Sequence, residues 1–392
     1  MRGHFETNQR GAGGGEFAGK RILYLAPNLL CDRRHKKVSG VDLFDFELLR
    51  ELSRLGCDVT LPAEGSWRGV LEERLAGATV RFEWAPRFRL RSPLAGAFWA
   101  AVRLRGRKYD AVFYGNAARV FTGLHPLLRG CAPRGRFLMM GHRVPRVRLR
   151  RLLRDGEIRL VAVSEHIKRQ CGESLRDRVS VYVGIVDAAR YFPEAEDARG
   201  DDGRVRFCLL GQLDSPRKGA DAVARAFRAM RPEVRGRCEL HLAGYADPPT
   251  DLGEGIVAHR WKTLDEIAEM LRRMDVMVIY SKFETFSQVM VQGMLSGLPI
   301  IVNELPACVE KLDRGGGIVA GDEAARTAAM ERRASEPETR RRMGEIALET
   351  ARERYVWSTE RFLREHMFPG AGGSAAVEVT TTVQARVGSS SD

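Results

Sequence analysis

The chain has 392 residues, of which 44% are hydrophobic, and a formal net charge of +13 at pH 7. This length exceeds the size at which a single hydrophobic core keeps growing, so two or three domains are expected. No apolar run reaches the roughly 20 residues that cross a bilayer, which excludes an integral membrane protein. The charge is compatible with nucleic acid, anionic lipid or phosphorylated ligands and does not choose among them.

The N-terminal residues 1–20 are polar and Gly-rich. They lack the apolar stretch of a secretory signal, which predicts a disordered tail and a cytoplasmic location. A continuous apolar run, Arg21–Ala26, predicts the first buried strand. A polar loop with Ser39 and Gly40 then leads to an amphipathic helix over Val41–Leu55, whose apolar residues recur every three positions.

Further apolar runs alternate with helical segments through residue 187. This alternation predicts a doubly wound parallel sheet, and residues 21–187 form the first predicted domain. Its further strands are predicted at Val59–Leu61, Val80–Phe82, Ala111–Tyr114, Phe137–Met140 and Leu160–Val163.

Residues 188–203 are predicted as a linker, since the segment is acidic and poor in apolar residues from Glu194 onward. Residues 204–356 repeat the alternation and predict a second parallel-sheet domain. Residues 368–392, rich in Gly, Ser, Thr and Ala, are predicted to be disordered. The strands of the second domain are predicted at Val205–Leu210, Glu239–Ala243, Val276–Tyr280 and Pro299–Val302, with helices at Ala220–Met230 and Leu264–Met274.

The seven cysteines are odd in number, scattered, and never spaced as C-x-x-C. Reduced structural thiols are therefore predicted, with no disulfide framework and no metal site.

Glu284 lies in a loop between a predicted strand, Val276–Tyr280, and a predicted helix over residues 288–296. The carboxyl ends of parallel strands are where such sheets bind ligands. The free N–H groups of Thr285 to Gln288 favour a phosphate, and Glu284 can accept hydrogen bonds from a sugar hydroxyl. In the alternative interpretation, Glu284 and Thr285 only cap the helix.

The segment from Glu284 to Ile301 resembles the signature of family 4-type retaining glycosyltransferases with the GT-B fold. The resemblance covers residues 20–366 and implies two Rossmann-like domains facing a central cleft: an acceptor-side domain over 21–187, on which a helix near 357–367 packs back, and a nucleotide-sugar domain over 204–356. The segments that carry it, in order, are Val161–Ser164, Val183–Asp187, Leu209–Leu213, Lys218–Gly219, Leu242–Gly244, Met274–Val276, Glu284–Ser287, Gln292–Met294, Ser296–Ile301 and Glu310.

The resemblance also implies roles for individual residues. Glu284, Lys218 and His142 are the expected catalytic residues, and Ser39 and Gly40 belong to an acceptor-side loop. For three of these residues an ordinary alternative stands: a solvated lysine, a structural histidine and a simple loop glycine. The expected donor-binding residues are Gly211, Arg217, Lys218, Thr285, Phe286, Ser287, Gln288 and Gln292, with Arg217 included only because it adjoins Lys218.

Three positions depart from the family pattern. Gln292 stands where a Glu usually clasps the ribose, Ser287 where a Gly follows the Phe, and Gln212 where an Arg is frequent. Because a neutral amide makes weaker hydrogen bonds than a carboxylate, these changes bear on affinity and activity.

The leading hypothesis is transfer of a hexose-type sugar from a nucleoside-diphosphate sugar to an acceptor hydroxyl, with retention and without a metal or other cofactor. The alternative is an altered GT-B protein that binds nucleotide sugar or a polyanion without transfer. The acceptor, whether glycan, lipid or small molecule, is not determined. An Arg-rich stretch over residues 143–154 is either a site for anionic membrane or a phosphorylated acceptor, or a solvated helix face. Nucleic acid ranks last as a partner, because no recognised binding motif is present.

Overall fold

The computed structural model describes residues 15–32, 40–86, 93–115, 119–141, 147–182, 186–194 and 202–369. Its strands are β1 Arg21–Leu25, β2 Asp58–Glu64, β3 Val80–Ala85, β4 Ala111–Tyr114, β5 Phe137–Gly141, β6 Ile158–Ala162, β7 Val179–Val181, β8 Val205–Leu210, β9 Cys238–Tyr245, β10 Ile256–Arg260, β11 Val276–Ile279, β12 Ile300–Val302 and β13 Gly317–Val319.

The helices are α1 Gly40–Arg54, α2 Arg68–Arg74, α3 Leu94–Leu104, α4 Arg119–Leu128, α5 Val147–Arg154, α6 Glu165–Gln170, α7 Glu173–Arg176, α8 Ala220–Arg228, α9 Pro232–Arg235, α10 Leu264–Arg272, α11 Gln288–Leu295, α12 Pro306–Val309, α13 Glu323–Ser335, α14 Pro337–Arg354 and α15 Thr359–Phe362. Short 3₁₀ turns lie at Asn28–Leu30, Gly65–Trp67, Arg129–Cys131 and Pro216–Lys218, and a π-helical turn lies at Leu363–Met367.

The strands form two parallel sheets, one in each half of the chain. The first has seven strands in the order β3-β2-β1-β4-β5-β6-β7, and the second has six in the order β10-β9-β8-β11-β12-β13. Strands such as β1 and β11 are buried along almost their whole length, which is why they appear in the sequence as continuous apolar runs. The doubly wound architecture predicted from the sequence is confirmed.

Three strands have no counterpart among the predicted ones: β7, β10 and β13. Each lies at the edge of its sheet, and most of their residues are only half-buried or exposed. An edge strand has a neighbour on one side only and needs no continuous apolar run, so its sequence lacks the pattern of a central strand.

The carboxyl ends of β8 and β9 approach each other closely at two glycines. A Cβ atom on Gly244, whose φ is +120°, would lie 1.8 Å from the carbonyl oxygen of Gly211. Only glycine permits both this backbone conformation and this contact.

The C-terminal segment crosses from the second sheet to the first. Phe362 is fully buried and meets the ring of Phe113 edge to face at 6.1 Å. The hydroxyl of Tyr182 donates to the Ser358 carbonyl at 2.8 Å, and Arg136 donates to the Met367 carbonyl at 3.0 Å. These contacts attach α15 and the π-helical turn to the N-terminal domain.

The prediction of a disordered tail through residue 20 is wrong for residues 15–20. Phe17 is 2% exposed and stacks on Phe368 at 6.2 Å, and the Gly19 amide donates to the Gly56 carbonyl at 2.8 Å. A single Phe among glycines gives no periodic signal, so its burial could not be read from the sequence. Phe368, which falls in the predicted C-terminal tail, is likewise buried and likewise gives no periodic signal. Residues 1–14 and 370–392 lie outside the described chain.

The first part of the predicted linker packs on the second domain. Arg190 pairs with Asp265 at 3.0 Å, and the guanidinium of Arg272 lies 4.9 Å from the ring centroid of Phe192. A separate contact joins the domains directly, because Glu310 after α12 accepts from the His166 amide of α6 at 2.9 Å. Residues 195–201 of the linker are outside the described ranges.

All seven cysteines are buried free thiols. Among the described helices, none combines the length and apolar character needed to span a membrane.

Candidate functional site

Two neighbouring strands of the second sheet, β8 and β11, bring a lysine and a glutamate together beyond their carboxyl ends. The Nζ atom of Lys218 lies 2.5 Å from Oε1 of Glu284, although the two residues are 66 positions apart. Their side chains are 25% and 12% exposed. The two residues given catalytic roles in this domain therefore form one largely buried ion pair at the sheet edge.

The Glu284 carboxylate is held through one of its two oxygens. Oε1 accepts from Lys218 and also from the Ser281 hydroxyl at 2.9 Å. The backbone carbonyl of Ser281 in turn accepts from the Asn303 side chain, which follows β12, at 2.8 Å. Within the described residues nothing donates to Oε2, so this oxygen remains available to a ligand hydroxyl.

The capping interpretation of Glu284 is not supported by these contacts. Within the described residues both partners of its carboxylate are side chains, and neither is an N–H group of α11. Ser287, at the N-cap position of α11, makes no side-chain capping hydrogen bond either. The Ser287 side chain therefore does not cap the first N–H groups of α11. Uncapped N–H groups at a helix N-terminus can bind an anion.

Two glycines allow the Lys218 loop to take its place. Gly211, directly after β8, has φ +148°, and a Cβ atom there would meet the Lys218 side chain at 3.4 Å. Gly219 has φ +65°, and a Cβ atom there would lie 2.2 Å from the ring of Tyr280. The loop is tied to the Glu284 loop by the Lys282 amide, which donates to the Arg217 carbonyl at 2.8 Å. The Arg217 side chain itself is exposed.

Ser287 has an unusual backbone conformation for its residue type. Its φ of 63° and ψ of 75° make it the one non-glycine residue with positive φ in the described chain. Glycine adopts this left-handed conformation without cost, whereas other residues lose roughly 1 kcal/mol or more. The glycine that the resemblance leads one to expect here thus has a physical reason, and Ser287 occupies its conformation.

The donor-binding residues predicted around this turn are all near one another. Thr285 is half-buried, Phe286 is 5% exposed, and Gln288 is the first residue of α11. Gln292 is one turn further and 8% exposed, and its Oε1 accepts no hydrogen bond from the described residues. A buried amide oxygen without a donor is costly unless a ligand supplies one.

Lys311 is a buried cation that sequence reasoning missed. Its Nζ donates to the Ala307 carbonyl at 2.6 Å and lies 4.5 Å from the ring centroid of Phe286. Burial lowers the pKa of Lys311, and the nearby carboxylate of Glu310 only partly offsets this effect. Burial likewise raises the pKa of Glu310. Adjacent charged residues such as Glu310 and Lys311 usually lie at the surface, so nothing in the sequence indicated that this lysine is buried. Asn303 could have been predicted as a site residue, because it directly follows a predicted strand.

The predicted acceptor-side residues are only partly described. Gly40 is the first residue of α1, whereas Ser39 and His142 lie outside the described residues. Among the described residues no group of three or more His, Cys, Asp or Glu side chains is arranged to hold a metal ion.

Residues 204–335 match the family model described as Glycosyl transferases group 1. This range contains the ion pair, α11 and Lys311. A curated relative, MMP alpha-(1->4)-mannosyltransferase of Mycolicibacterium hassiacum, is 29% identical over 173 residues, which are 40% of this chain and 42% of that protein. The chain thus aligns with less than half the length of this relative.

Solved structures resemble the chain over most of its length. HepE of Anabaena in complex with UDP and glucose superposes with a TM-score of 0.64 at 16% identity, covering 86% of this chain and 96% of that one. A glycosyltransferase of Rickettsia africae gives 0.66 at 14% identity, covering 86% and 94%. The glycosyltransferase WaaG gives 0.64 at 12% identity, covering 88% and 99%. At these identities the likeness shows the fold: the chain has the GT-B architecture of two Rossmann-like domains.

Proposed function

We propose that the chain transfers a hexose-type sugar from a nucleoside-diphosphate sugar to an acceptor hydroxyl, with retention of configuration and without a metal ion. The observation that carries the proposal is the Lys218–Glu284 pair, held at 2.5 Å in front of the N-terminus of α11. The match of residues 204–335 to a glycosyltransferase family model supports it.

The first requirement of this reaction is to stabilise the departing nucleoside diphosphate. Negative charge grows on the leaving oxygen as the glycosidic bond breaks, and a preorganised cation and helix N-terminus stabilise it in place of a metal. Lys218 supplies the cation. The N–H groups at the start of α11, reached through the left-handed turn at Ser287, supply the helix dipole.

The second requirement is to hold the transferred sugar. Glu284 Oε2 accepts from nothing described, while Oε1 is fixed by Lys218 and Ser281, so the carboxylate presents one oriented acceptor to a sugar hydroxyl. In the retaining mechanism that the resemblance implies, the departing diphosphate takes the proton of the acceptor hydroxyl on the same face of the sugar.

The donor's nucleoside would be held by Gln292. Its amide can both donate to and accept from ribose hydroxyls, and its buried Oε1 is without a donor in the described residues. Among the structural neighbours, HepE binds UDP and UDP-glucose, and the curated relative is a mannosyltransferase. Uridine diphosphate sugars and nucleoside diphosphate conjugates of mannose are therefore the first donors to test.

A second candidate function is binding of nucleotide sugar without transfer. The amide at Gln292 favours it, because a neutral clasp makes weaker hydrogen bonds to ribose than a carboxylate does. The two candidates predict the same binding and differ in turnover.

The test combines a thermal-shift screen with separate assays of donor hydrolysis and transfer. The screen uses UDP, GDP, ADP and their glucose and mannose conjugates, since a ligand that binds the native state raises its melting temperature. Transfer is followed in the presence of a panel of glycan and lipid acceptors. Binding with hydrolysis or transfer supports the enzyme, binding with neither supports the second candidate, and no shift with any nucleotide contradicts both.

Two substitutions assign the roles. We expect Lys218→Met to weaken diphosphate binding about tenfold or more, the value of a charged hydrogen bond. Glu284→Ala should keep nucleoside diphosphate binding and lose turnover. The matched control is Glu323→Ala, which breaks an exposed ion pair with Arg225 in the same domain and should change neither. A Glu284→Ala protein with full transferase activity would overturn the proposal.

A further inference from the structure

The basic excess of the chain is concentrated in one segment of the N-terminal domain. Residues 87–154 contain 17 Lys or Arg and one acidic residue, Asp110, whereas the whole chain contains 64 and 51. The rest of the chain therefore has 47 basic and 50 acidic residues and is close to neutral. The formal positive charge of the sequence is thus concentrated in this segment.

The helices of this segment lie on one face of the first sheet. α3 connects β3 to β4, α4 connects β4 to β5, and α5 connects β5 to β6. All three crossovers run in the same direction across the sheet, and right-handed crossovers in one direction place their helices on one face. α3 packs against α4, and the His125 ring of α4 lies 3.2 Å from the carboxylate of Glu157, which follows α5. We call the outer surface of these helices the α3–α5 face.

An apolar stripe runs along the α3 part of this face. Leu94, Phe98 and Val102 follow one another at four-residue spacing and are 56%, 54% and 44% exposed. Leu127 of α4 is also exposed, at 37%. Single exposed apolar residues are ordinary, but three aligned on one side of a helix mark a surface that contacts an apolar partner.

The α5 part of the face is basic. Leu149, Leu152 and Leu153 are buried against the domain, while Arg148, Arg151 and Arg154 are exposed on the other side of the helix. An apolar stripe on α3 and exposed arginines on α5 thus lie on the same side of the sheet, with α4 between them.

We propose that the α3–α5 face docks on the surface of a lipid bilayer that contains anionic lipid. Such a surface offers negative headgroups to the arginines and an apolar boundary to the stripe, whereas a nucleic acid would satisfy the arginines alone. The N-termini of α3 and α5 follow the carboxyl ends of β3 and β5, so the docked bilayer adjoins the sheet edge that faces the cleft. This inference goes beyond the proposed function, since docking does not require sugar transfer.

Sedimentation of the full chain with vesicles tests the proposal. At low salt we expect binding to vesicles of phosphatidylcholine mixed with phosphatidylglycerol, and little binding to phosphatidylcholine alone. Replacing Arg148, Arg151 and Arg154 by Gln should lower partitioning on the order of a hundredfold, at about fivefold for each arginine near the surface. Phe98→Gln should lower it about tenfold, the value of one partly inserted apolar side chain.

The controls carry the same changes on the C-terminal domain. Trp261→Gln removes an apolar side chain that is also 54% exposed, and a triple Gln variant at Arg231, Arg260 and Arg273 removes three exposed arginines. Both should partition like the parent chain, and unchanged circular dichroism confirms the fold of each variant. Three results would overturn the proposal. The first is no binding to anionic vesicles, and the second is an equal loss of binding in the control variants. The third is binding that depends on the arginines but is unaffected by Phe98→Gln and is equally strong to a DNA duplex.

Discussion

The Gln292→Met substitution tests whether Gln292 lowers the stability of the ligand-free protein while it contributes to nucleotide binding. The Gln292 side chain is 8% exposed, and its Oε1 accepts no hydrogen bond from the described residues. Met has nearly the same volume and helix propensity and has no carbonyl to satisfy. The substitution therefore removes an unmet acceptor from the ligand-free protein and, under the proposed function, removes the ribose contact from the complex.

The magnitude follows from the cost of a buried polar group without a partner. That cost is about 1–3 kcal/mol, so we expect the unfolding free energy of the ligand-free protein to rise by about 1–2 kcal/mol. For a domain of this size each kcal/mol corresponds to roughly 2–4 °C in melting temperature. Loss of two neutral hydrogen bonds to ribose should weaken nucleoside diphosphate binding about tenfold to a hundredfold.

Urea denaturation and thermal shift, each with and without nucleoside diphosphate, measure both effects. The matched control is Thr350→Val on α14, which packs against α11. The Thr350 hydroxyl donates to the Ile346 carbonyl at 2.7 Å, so its removal should give no gain in stability. A Gln292→Met protein that is less stable than the parent, or that binds nucleotide equally well, would refute the reasoning.

Two further predictions concern backbone strain and pH. Ser287→Gly should raise the unfolding free energy by up to about 1 kcal/mol and Ser287→Val should lower it, because φ is 63° at this position; equal urea midpoints for the two variants would contradict the left-handed conformation. Burial lowers the pKa of His366 from 6.5 to about 4, so the fold favours its neutral form and the unfolded chain takes up the proton first. The stability from this histidine is fully present above pH 6.5 and is lost as the pH falls from 6.5 to about 4, by up to about 3 kcal/mol. A His366→Gln protein should show a shallower loss of stability in that window, and parallel stability curves for the two proteins would argue against it.

Central strands could be predicted from the sequence, whereas three of the four edge strands, β7, β10 and β13, could not. β1 and β11 are buried on both faces and therefore appear as unbroken apolar runs. In β10, by contrast, no residue is fully buried, and its short run of Ile, Val and Ala, followed by His and Arg, is too weak to separate from a loop. Phe17 shows the same limit, because a single buried side chain has no period.

The candidate site divides in the same way. The position of Glu284 follows from the rule that ligands bind beyond the carboxyl ends of parallel strands. Its partner Lys218 is far away in sequence, and only the resemblance indicated it. The buried Lys311 and the left-handed Ser287 could not be predicted, because burial of a charge and a positive φ at a serine depend on how neighbouring segments pack.

The two glutamines that depart from the family pattern are opposite changes in charge. Gln212 in place of an Arg removes a positive charge, and Gln292 in place of a Glu removes a negative one. A carboxylate at position 292 would be more than nine-tenths buried and would require a cationic partner, whereas an amide requires none. The charges that remain, Lys218 with Glu284 and the buried Lys311, are those that contact one another or the Phe286 ring. We therefore interpret the amide at position 292 as a change in how the nucleoside is held, which leaves the groups proposed to act on the sugar and the leaving diphosphate in place.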